Sequence, residues 1–327
     1  MARKSQTGAV IRRAEFRRRS RHLHCIVSDA IFGVIGEERT GRGRFLESDR
    51  KCCHRVSVVR ASLKMASTHS NESTESPSGR PATALVLSGG GFFGAYQAGA
   101  WRVISKRFDP DLVVGASIGC INGWLIAGDC SPDEMERYWQ ELARPRPIPW
   151  RWPLPPWRGV VDFSQVDGTL REIHAAFRPR RDYALVLTDL LRLKPVIVRG
   201  AEVTWRHLAA SCAVPLVFDQ VRIGGRFYTD GGLLCANPVW AAAALGACRV
   251  IAVNVLDRMP SRILSVGVNA VRGIAPFRPV VPDSVEVTIL SPSEELGSAW
   301  DTLRPGAGLV RRWMELGAAD AERLRDL

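Results

Sequence analysis

Ser117 stands at the centre of a Gly-x-Ser-x-Gly pentapeptide, after an apolar run that ends at Val114 and before a run of small and apolar residues. That order of strand, sharp turn and helix is typical of a nucleophile elbow, which exposes one side chain at the end of a strand. The residues two before and two after the nucleophile must be small, because larger side chains would collide across the turn. Gly115 and Gly119 fill these positions. The pattern predicts a nucleophilic Ser117 at the start of a helix, where backbone N–H groups favour negative charge.

A serine hydroxyl is a weak nucleophile until a base accepts its proton. The chain has six histidines: His22, His24, His54, His69, His174 and His207. None follows Asp230, so the Ser–Asp/Glu–His order of α/β-hydrolases cannot be formed if Asp230 is the acid. His174 and His207 fall in amphipathic helical patterns, which favour structural or surface roles. Asp230 ends a short strand before Gly231 and Gly232, which makes it the candidate base; a turn or capping role stays open.

A glycine-rich turn, Ser88–Gly94, joins an apolar run at Thr83–Leu87 to a helical pattern at Ala95–Lys106. Bare backbone N–H groups in such a turn can face an anion with no Cβ in the way. The turn also fits G-x-G-x-x-G, so a Rossmann dinucleotide site is an alternative. That alternative predicts an acidic residue after the second strand, where this chain has Gly115-Ala116-Ser117. The sequence therefore disfavours it.

Strands alternate with helices over most of the chain, which predicts an α/β fold with a largely parallel sheet covered on both faces. We expect one catalytic domain over residues 81–327. Residues 1–80 are basic and then polar, and we expect them to be disordered. One explanation of the basic residues 1–64 is that the protein truly starts at Met65. The alternatives are that they form an arm that binds nucleic acid or an acidic membrane, or a targeting segment.

The charge of the chain is concentrated near its N-terminus. Residues 1–64 hold 16 Lys/Arg against 6 Asp/Glu, whereas the remainder holds 29 against 27. The overall net charge of +12 therefore gives no reason to expect specific nucleic-acid binding by the domain.

The segment Arg144–Gly159 is rich in Pro, Trp and Arg, which fits either a lid at a membrane interface or a rigid connector.

The eight cysteines form no C-x-x-C pair and no zinc-like spacing with histidine, so we expect neither a metal nor a cofactor. The scattered thiols favour a reducing compartment. The long uncharged runs contain Gly, Asn and Pro, so they are better explained as parts of the protein core than as membrane-spanning helices. The basic N-terminus lacks the apolar run of a signal peptide. We therefore expect a cytoplasmic protein, with peripheral membrane contact as an open alternative.

Three blocks in order resemble the patatin-like phospholipases: the loop Ser88–Gly94, the elbow Gly115–Gly119, and Asp230-Gly231-Gly232 followed by Asn237-Pro238. The segment Ala210–Pro215 with Phe218 is also similar to that family. The resemblance covers about residues 83–255. It implies a three-layer α/β/α sandwich that hydrolyses carboxylic esters of lipids without a cofactor.

The same resemblance implies a catalytic Ser117–Asp230 dyad and an oxyanion hole from the backbone of Gly89, Gly90 and Gly91. Phe93 stands where that family often has Arg or Lys, which would favour neutral lipids or simple esters over a charged head group. Transfer of the acyl group to an alcohol instead of water stays open. A non-catalytic lipid-binding or scaffolding protein on the same fold is the main alternative.

Overall fold

The computed structural model describes residues 82–144, 159–162, 164–257, 262–298, 300–302 and 305–324. The expectations for residues 1–80, including a start at Met65, lie outside these ranges. So does the Pro/Trp segment, apart from its end residues Arg144 and Gly159.

Eight strands and eight α-helices are formed by the described residues. The strands are β1 (Thr83–Leu87), β2 (Leu112–Ala116), β3 (Asp182–Asp189), β4 (Lys194–Arg199), β5 (Val221–Ile223), β6 (Arg226–Thr229), β7 (Arg249–Val253) and β8 (Glu286–Leu290). The helices are α1 (Gly94–Ile104), α2 (Ile118–Ala127), α3 (Pro132–Leu142), α4 (Ser164–Ala176), α5 (Trp205–Ser211), α6 (Val239–Ala244), α7 (Arg262–Ile274) and α8 (Ala307–Glu322).

All eight strands belong to one sheet, and its centre is parallel. β3, β2, β1, β7 and β8 lie side by side in that order, each parallel to the next. β1 and β2 are apolar along almost their whole length because parallel strands are covered on both faces. β4 and the hairpin β5–β6 are antiparallel additions beside β3. The sheet is therefore mixed but largely parallel, as the sequence predicts.

Strand β3 extends beyond the end of β2, and this difference in length positions the site. Residues 182–186 of β3 pair with β2, whereas the last two residues of β3 pair with β6 in the antiparallel sense. β4 pairs with residues 184–189, so it occupies the opposite edge of β3. β2 and β6 therefore approach each other end to end along one edge of β3. The residues that directly follow them are Ser117 and Asp230.

Helices cover both faces of the sheet, which gives three layers. On one face α1, α2 and α8 pack on the sheet and contribute to a large core around Leu85, Leu87 and Val113. On the other face, α6 packs on a smaller cluster that includes Val86 and Val114. Neighbouring residues of one strand point to opposite faces, so the continuous apolar runs are buried on both sides. In the described part of the chain, no helix combines the length and the apolar character needed to cross a membrane.

Candidate active site

Ser117 lies in the sharp turn between β2 and α2, with φ 52° and ψ −132°. A residue with a side chain pays a strain cost in this region of backbone space, on the order of 1–3 kcal/mol, and such strain is concentrated at functional sites. A Cβ on Gly115 would overlap the backbone of Gly119, and a Cβ on Gly119 would overlap the carbonyls that end β1. The tight turn therefore depends on both glycines, in agreement with the packing argument made from the sequence.

The Ser117 hydroxyl donates a hydrogen bond of 2.6 Å to Oδ2 of Asp230, although 113 positions separate the two residues. The other carboxylate oxygen, Oδ1, accepts the N–H of Gly232 at 2.7 Å. Both side chains are buried, with Ser117 8% and Asp230 7% exposed. Burial raises the pKa of Asp230 from its ordinary 3.8 to about 6, although these two hydrogen bonds favour the charged form. The carboxylate is thus more basic than usual and already in contact with the hydroxyl proton.

Ser211, the last residue of α5, is a member of the site to which the sequence analysis gave no role. Its hydroxyl accepts the backbone N–H of Ser117 at 2.9 Å and donates to the carbonyl of Val186 at 2.8 Å. Its own carbonyl accepts the N–H of Gly231 at 3.2 Å. Ser211 therefore fixes both the elbow and the aspartate loop to Val186 of β3. The sequence did offer one sign of this role, because Ser211 lies in the Ala210–Pro215 segment that resembles the family.

The glycine-rich loop lies beside the elbow. A Cβ on Gly89 would be 3.2 Å from Cβ of Ser117, so the loop backbone and the serine are in direct contact. The N–H of Gly89 is already donated to the carbonyl of Ala236 at 2.9 Å. Among the described residues, the N–H groups of Gly90 and Gly91 have no hydrogen-bond acceptor. Of the three glycines named from the sequence, these two therefore have donors available to a ligand.

A buried polar network supports this loop from behind. Gln97 on α1 donates to the carbonyl of Ser88 at 2.7 Å and accepts from the Asn122 amide at 2.9 Å. Asn122 on α2 also donates to the carbonyl of Gly94 at 3.0 Å and accepts from the Trp139 indole at 3.2 Å. Both ends of the loop are thus held through side chains that are almost fully buried. Buried polar groups joined in this way rigidify their surroundings.

Phe93 is buried in the core and does not present a side chain to the serine. Its ring lies edge-on to Trp313 of α8, with the centroids 5.0 Å apart. The replacement of a cation by Phe93 therefore packs the loop against α8. It gives no direct information about the head group of a substrate.

The two histidines of the described region have structural partners. His207 accepts the N–H of Thr204 at 3.0 Å and caps the start of α5. His174 bonds to the carbonyl of Val203 at 2.9 Å and stacks on Trp124. Neither ring bonds to Ser117 or Asp230, in line with the roles expected from their helical patterns. Within the same ranges no cluster of three or more His, Cys, Asp or Glu is arranged to hold a metal ion.

Residues 85–243 match the family model described as Patatin-like phospholipase. A lysophospholipase, nte1, of Aspergillus terreus is 26% identical over 52% of this chain and 12% of its own length. An uncharacterized NTE family protein of Mycobacterium tuberculosis is 26% identical over 54% of this chain and 50% of its own length. The crystal structure of VipD from Legionella pneumophila aligns with a TM-score of 0.42 and 10% identity, over 76% of this chain and 69% of that chain.

The matched segment holds the loop, the elbow and the aspartate turn that bring Ser117 and Asp230 together. The chain spans half or less of the length of these two curated relatives. The resemblance identified from three short blocks is confirmed by a match over the whole of residues 85–243. Over residues 85–243, just under half of its length, the chain matches the patatin-like phospholipase family.

Proposed function

We propose that this protein is a serine lipid acyl hydrolase in which Ser117 is the nucleophile and Asp230 the general base. The observation that carries the proposal is the buried hydrogen bond of 2.6 Å between the two side chains, with the pKa of the acceptor raised to about 6. A base is most effective when its pKa is close to the working pH. The match of residues 85–243 to the patatin-like phospholipase model and the name of the Aspergillus relative, a lysophospholipase, favour a lipid ester as substrate.

In the proposed acylation step, Asp230 accepts the Ser117 proton while Oγ attacks the ester carbonyl carbon. The resulting oxyanion accepts hydrogen bonds from the N–H groups of Gly90 and Gly91, and the start of α2 adds favourable partial charge. A single donor of this kind typically contributes about 3 kcal/mol to the transition state. Gly89 is left out of this role because its N–H is already used within the protein.

The intermediate then collapses: the bond to the alcohol oxygen breaks and Asp230 returns its proton to that leaving group. Water next attacks the acyl-enzyme, Asp230 takes the water proton, and the fatty acid leaves as Oγ recovers its hydrogen. One carboxylate therefore acts as base and acid in turn, which requires a pKa that is not far below neutrality. The scheme uses no metal or cofactor.

Hydrolysis of p-nitrophenyl butyrate by the purified protein tests the proposal. We expect Ser117→Ala and Asp230→Asn each to abolish turnover while circular dichroism stays unchanged, because both substitutions preserve the shape of the site. Full activity in either variant would refute the assignment of Ser117 and Asp230 as a catalytic dyad. Labelling by a fluorophosphonate probe distinguishes the alternative: an inert wild-type protein would favour a lipid-binding or scaffolding role. Products formed with added glycerol distinguish hydrolysis from acyl transfer.

The cytoplasmic location expected from the sequence stays a prediction, as does contact with a membrane surface. Fractionation of cells that express the full chain, followed by immunodetection, would test both.

A further inference from the structure

Helix α7 carries apolar side chains on the face that is open to solvent. Val266, Ala270 and Ile274 follow one another at intervals of four residues and form a stripe along one side of the helix. All three are exposed, Val266 to 71% and Ile274 to 75%. Asn269 is the one exposed polar side chain in the described part of α7. A surface helix usually presents charged and polar residues on this side, so the stripe is unusual.

The apolar surface continues after the helix, where Val280 is 72% exposed and Val281 37%. Scattered single apolar residues on a surface are ordinary, whereas several on one short segment mark an interaction site.

Positive charge accompanies these apolar residues. Residues 258–282 contain four arginines and no Asp or Glu, with Asp257 and Asp283 directly on either side. Arg278 donates to the carbonyls of Ala275 and Phe277, both at 2.7 Å, and so caps the end of α7. Neither Arg272 nor Arg278 makes an ion pair with a carboxylate in the described part of the chain. Apolar side chains beside arginines complement a surface that is both apolar and anionic.

α7 is tied directly to the candidate active site. The Arg272 guanidinium donates to the carbonyls of Leu233 and Gly232, at 3.0 and 3.2 Å. Gly232 is the residue whose N–H holds the Asp230 carboxylate. A surface bound to the outer face of α7 would therefore lie close to the loop that carries the proposed base.

We propose that α7 is an interfacial helix whose Val266–Ala270–Ile274 stripe inserts into the surface of an anionic phospholipid bilayer. The inference rests on the proposed function, because a lipid hydrolase has to meet its substrate in a membrane. Arg278, exposed just beyond the end of the helix, contacts the phosphates while the stripe enters the boundary between head groups and acyl chains. Binding then holds the Ser117–Asp230 site at the lipid surface.

Co-sedimentation of the full chain with vesicles made of equal parts phosphatidylglycerol and phosphatidylcholine tests the proposal. The test variant carries both Val266→Ser and Ile274→Ser, since Ser has a helix propensity similar to Val and Ile. We expect this variant to lower the partition coefficient about tenfold or more, because two side chains no longer bury apolar area. We also expect wild-type binding to weaken at high salt and on vesicles of phosphatidylcholine alone.

The matched control is Leu191→Ser. Leu191 is 81% exposed in the turn after β3, three strands away from β7 in the sheet. The control should bind vesicles as the wild type does. Equal binding by the α7 variant, or an equal loss by the control, would overturn the proposal. So would a wild-type dimer, seen by analytical ultracentrifugation, that the α7 variant disrupts, since a second copy would then cover the stripe.

Binding by the Ser117→Ala chain separates this inference from the proposed function. That chain keeps α7 and lacks the nucleophile, so we expect it to bind the vesicles as the wild type does. Vesicle binding combined with an inactive wild-type enzyme would refute the hydrolase proposal and leave the role of α7 intact. Hydrolysis of the soluble ester without stripe-dependent binding would refute the role of α7 alone.

Discussion

Replacing Asp230 by Asn should make the protein more stable at pH 8 while it removes activity. Asn has the shape of Asp but cannot ionise. Its Oδ1 can still accept the N–H of Gly232, and its amide can donate to the Ser117 hydroxyl in place of the present bond. The wild-type protein has to keep a buried carboxylate charged at this pH, whereas the variant does not.

The size of the effect follows from the pKa of Asp230, about 6 in the folded protein and 3.8 ordinarily. This difference corresponds to about 3 kcal/mol of folding free energy. The folded state binds the proton more tightly than the unfolded state. The stability contributed by the protonated group is therefore fully present below pH 3.8 and is lost as the pH rises through about 6. We expect Asp230→Asn to unfold like the wild type near pH 4 and to be more stable by up to about 3 kcal/mol at pH 8.

Urea denaturation of both proteins at several pH values between 4 and 8 measures this difference directly. Comparing variant with wild type at each pH cancels the contributions of all other titrating groups. Ser117→Ala is the control that keeps the carboxylate but removes a hydrogen bond to its charged form. Without that bond the pKa of Asp230 should be higher still, so the decrease in folding stability with rising pH should continue to a higher pH than in the wild type. A stability difference between Asp230→Asn and wild type that stays constant from pH 4 to 8 would refute the reasoning.

Four further outcomes are expected. The kcat/KM for p-nitrophenyl butyrate should rise about tenfold per pH unit below pH 6 and level off above it, since only ionised Asp230 accepts the serine proton; a flat pH–rate profile would exclude this base. Ser117→Gly should be more stable than Ser117→Ala by about 1 kcal/mol or more in urea denaturation, because glycine relieves the positive φ of 52°; equal stabilities would argue against strain at the elbow. Ser211→Ala should cost about 1–3 kcal/mol, since it leaves the Ser117 N–H without its acceptor. It should also lower kcat, with Ser211→Thr a partial rescue; wild-type kcat in Ser211→Ala would contradict a positioning role. Gln97→Met should lower both kcat and Tm without moving the pH–rate midpoint, because Gln97 holds the glycine loop and not the base; a shifted midpoint would show otherwise.

The central fold could be predicted from local patterns because its strands are buried on both faces. After their first residues, Thr83–Leu87 and Arg249–Val253 are apolar without interruption, which is what a covered parallel strand requires. The elbow was equally visible, because a tight turn needs small residues at fixed spacing. Each of these features is encoded within a few neighbouring residues.

Strand β5 and helix α7 were not predicted from the sequence, each for a different reason. Strand β5 has only three residues, and its pairing with β6 depends on the turn at Gly224 and Gly225, which both have positive φ. Helix α7 has a polar side and an apolar side, but Gly267, Gly273 and its valines have low helix propensity.

The partnership of Ser117 with Asp230 depends on a feature that no local pattern contains. β3 is longer than β2, and this leaves one edge of β3 free for β6 to approach the end of β2. If β2 continued beyond Ala116, it would occupy the position of β6, and the aspartate could not lie within 2.6 Å of the hydroxyl. The elbow ends β2 at that residue because Ser117 turns the chain into α2. The same turn that presents the proposed nucleophile thus opens the place that its proposed base occupies.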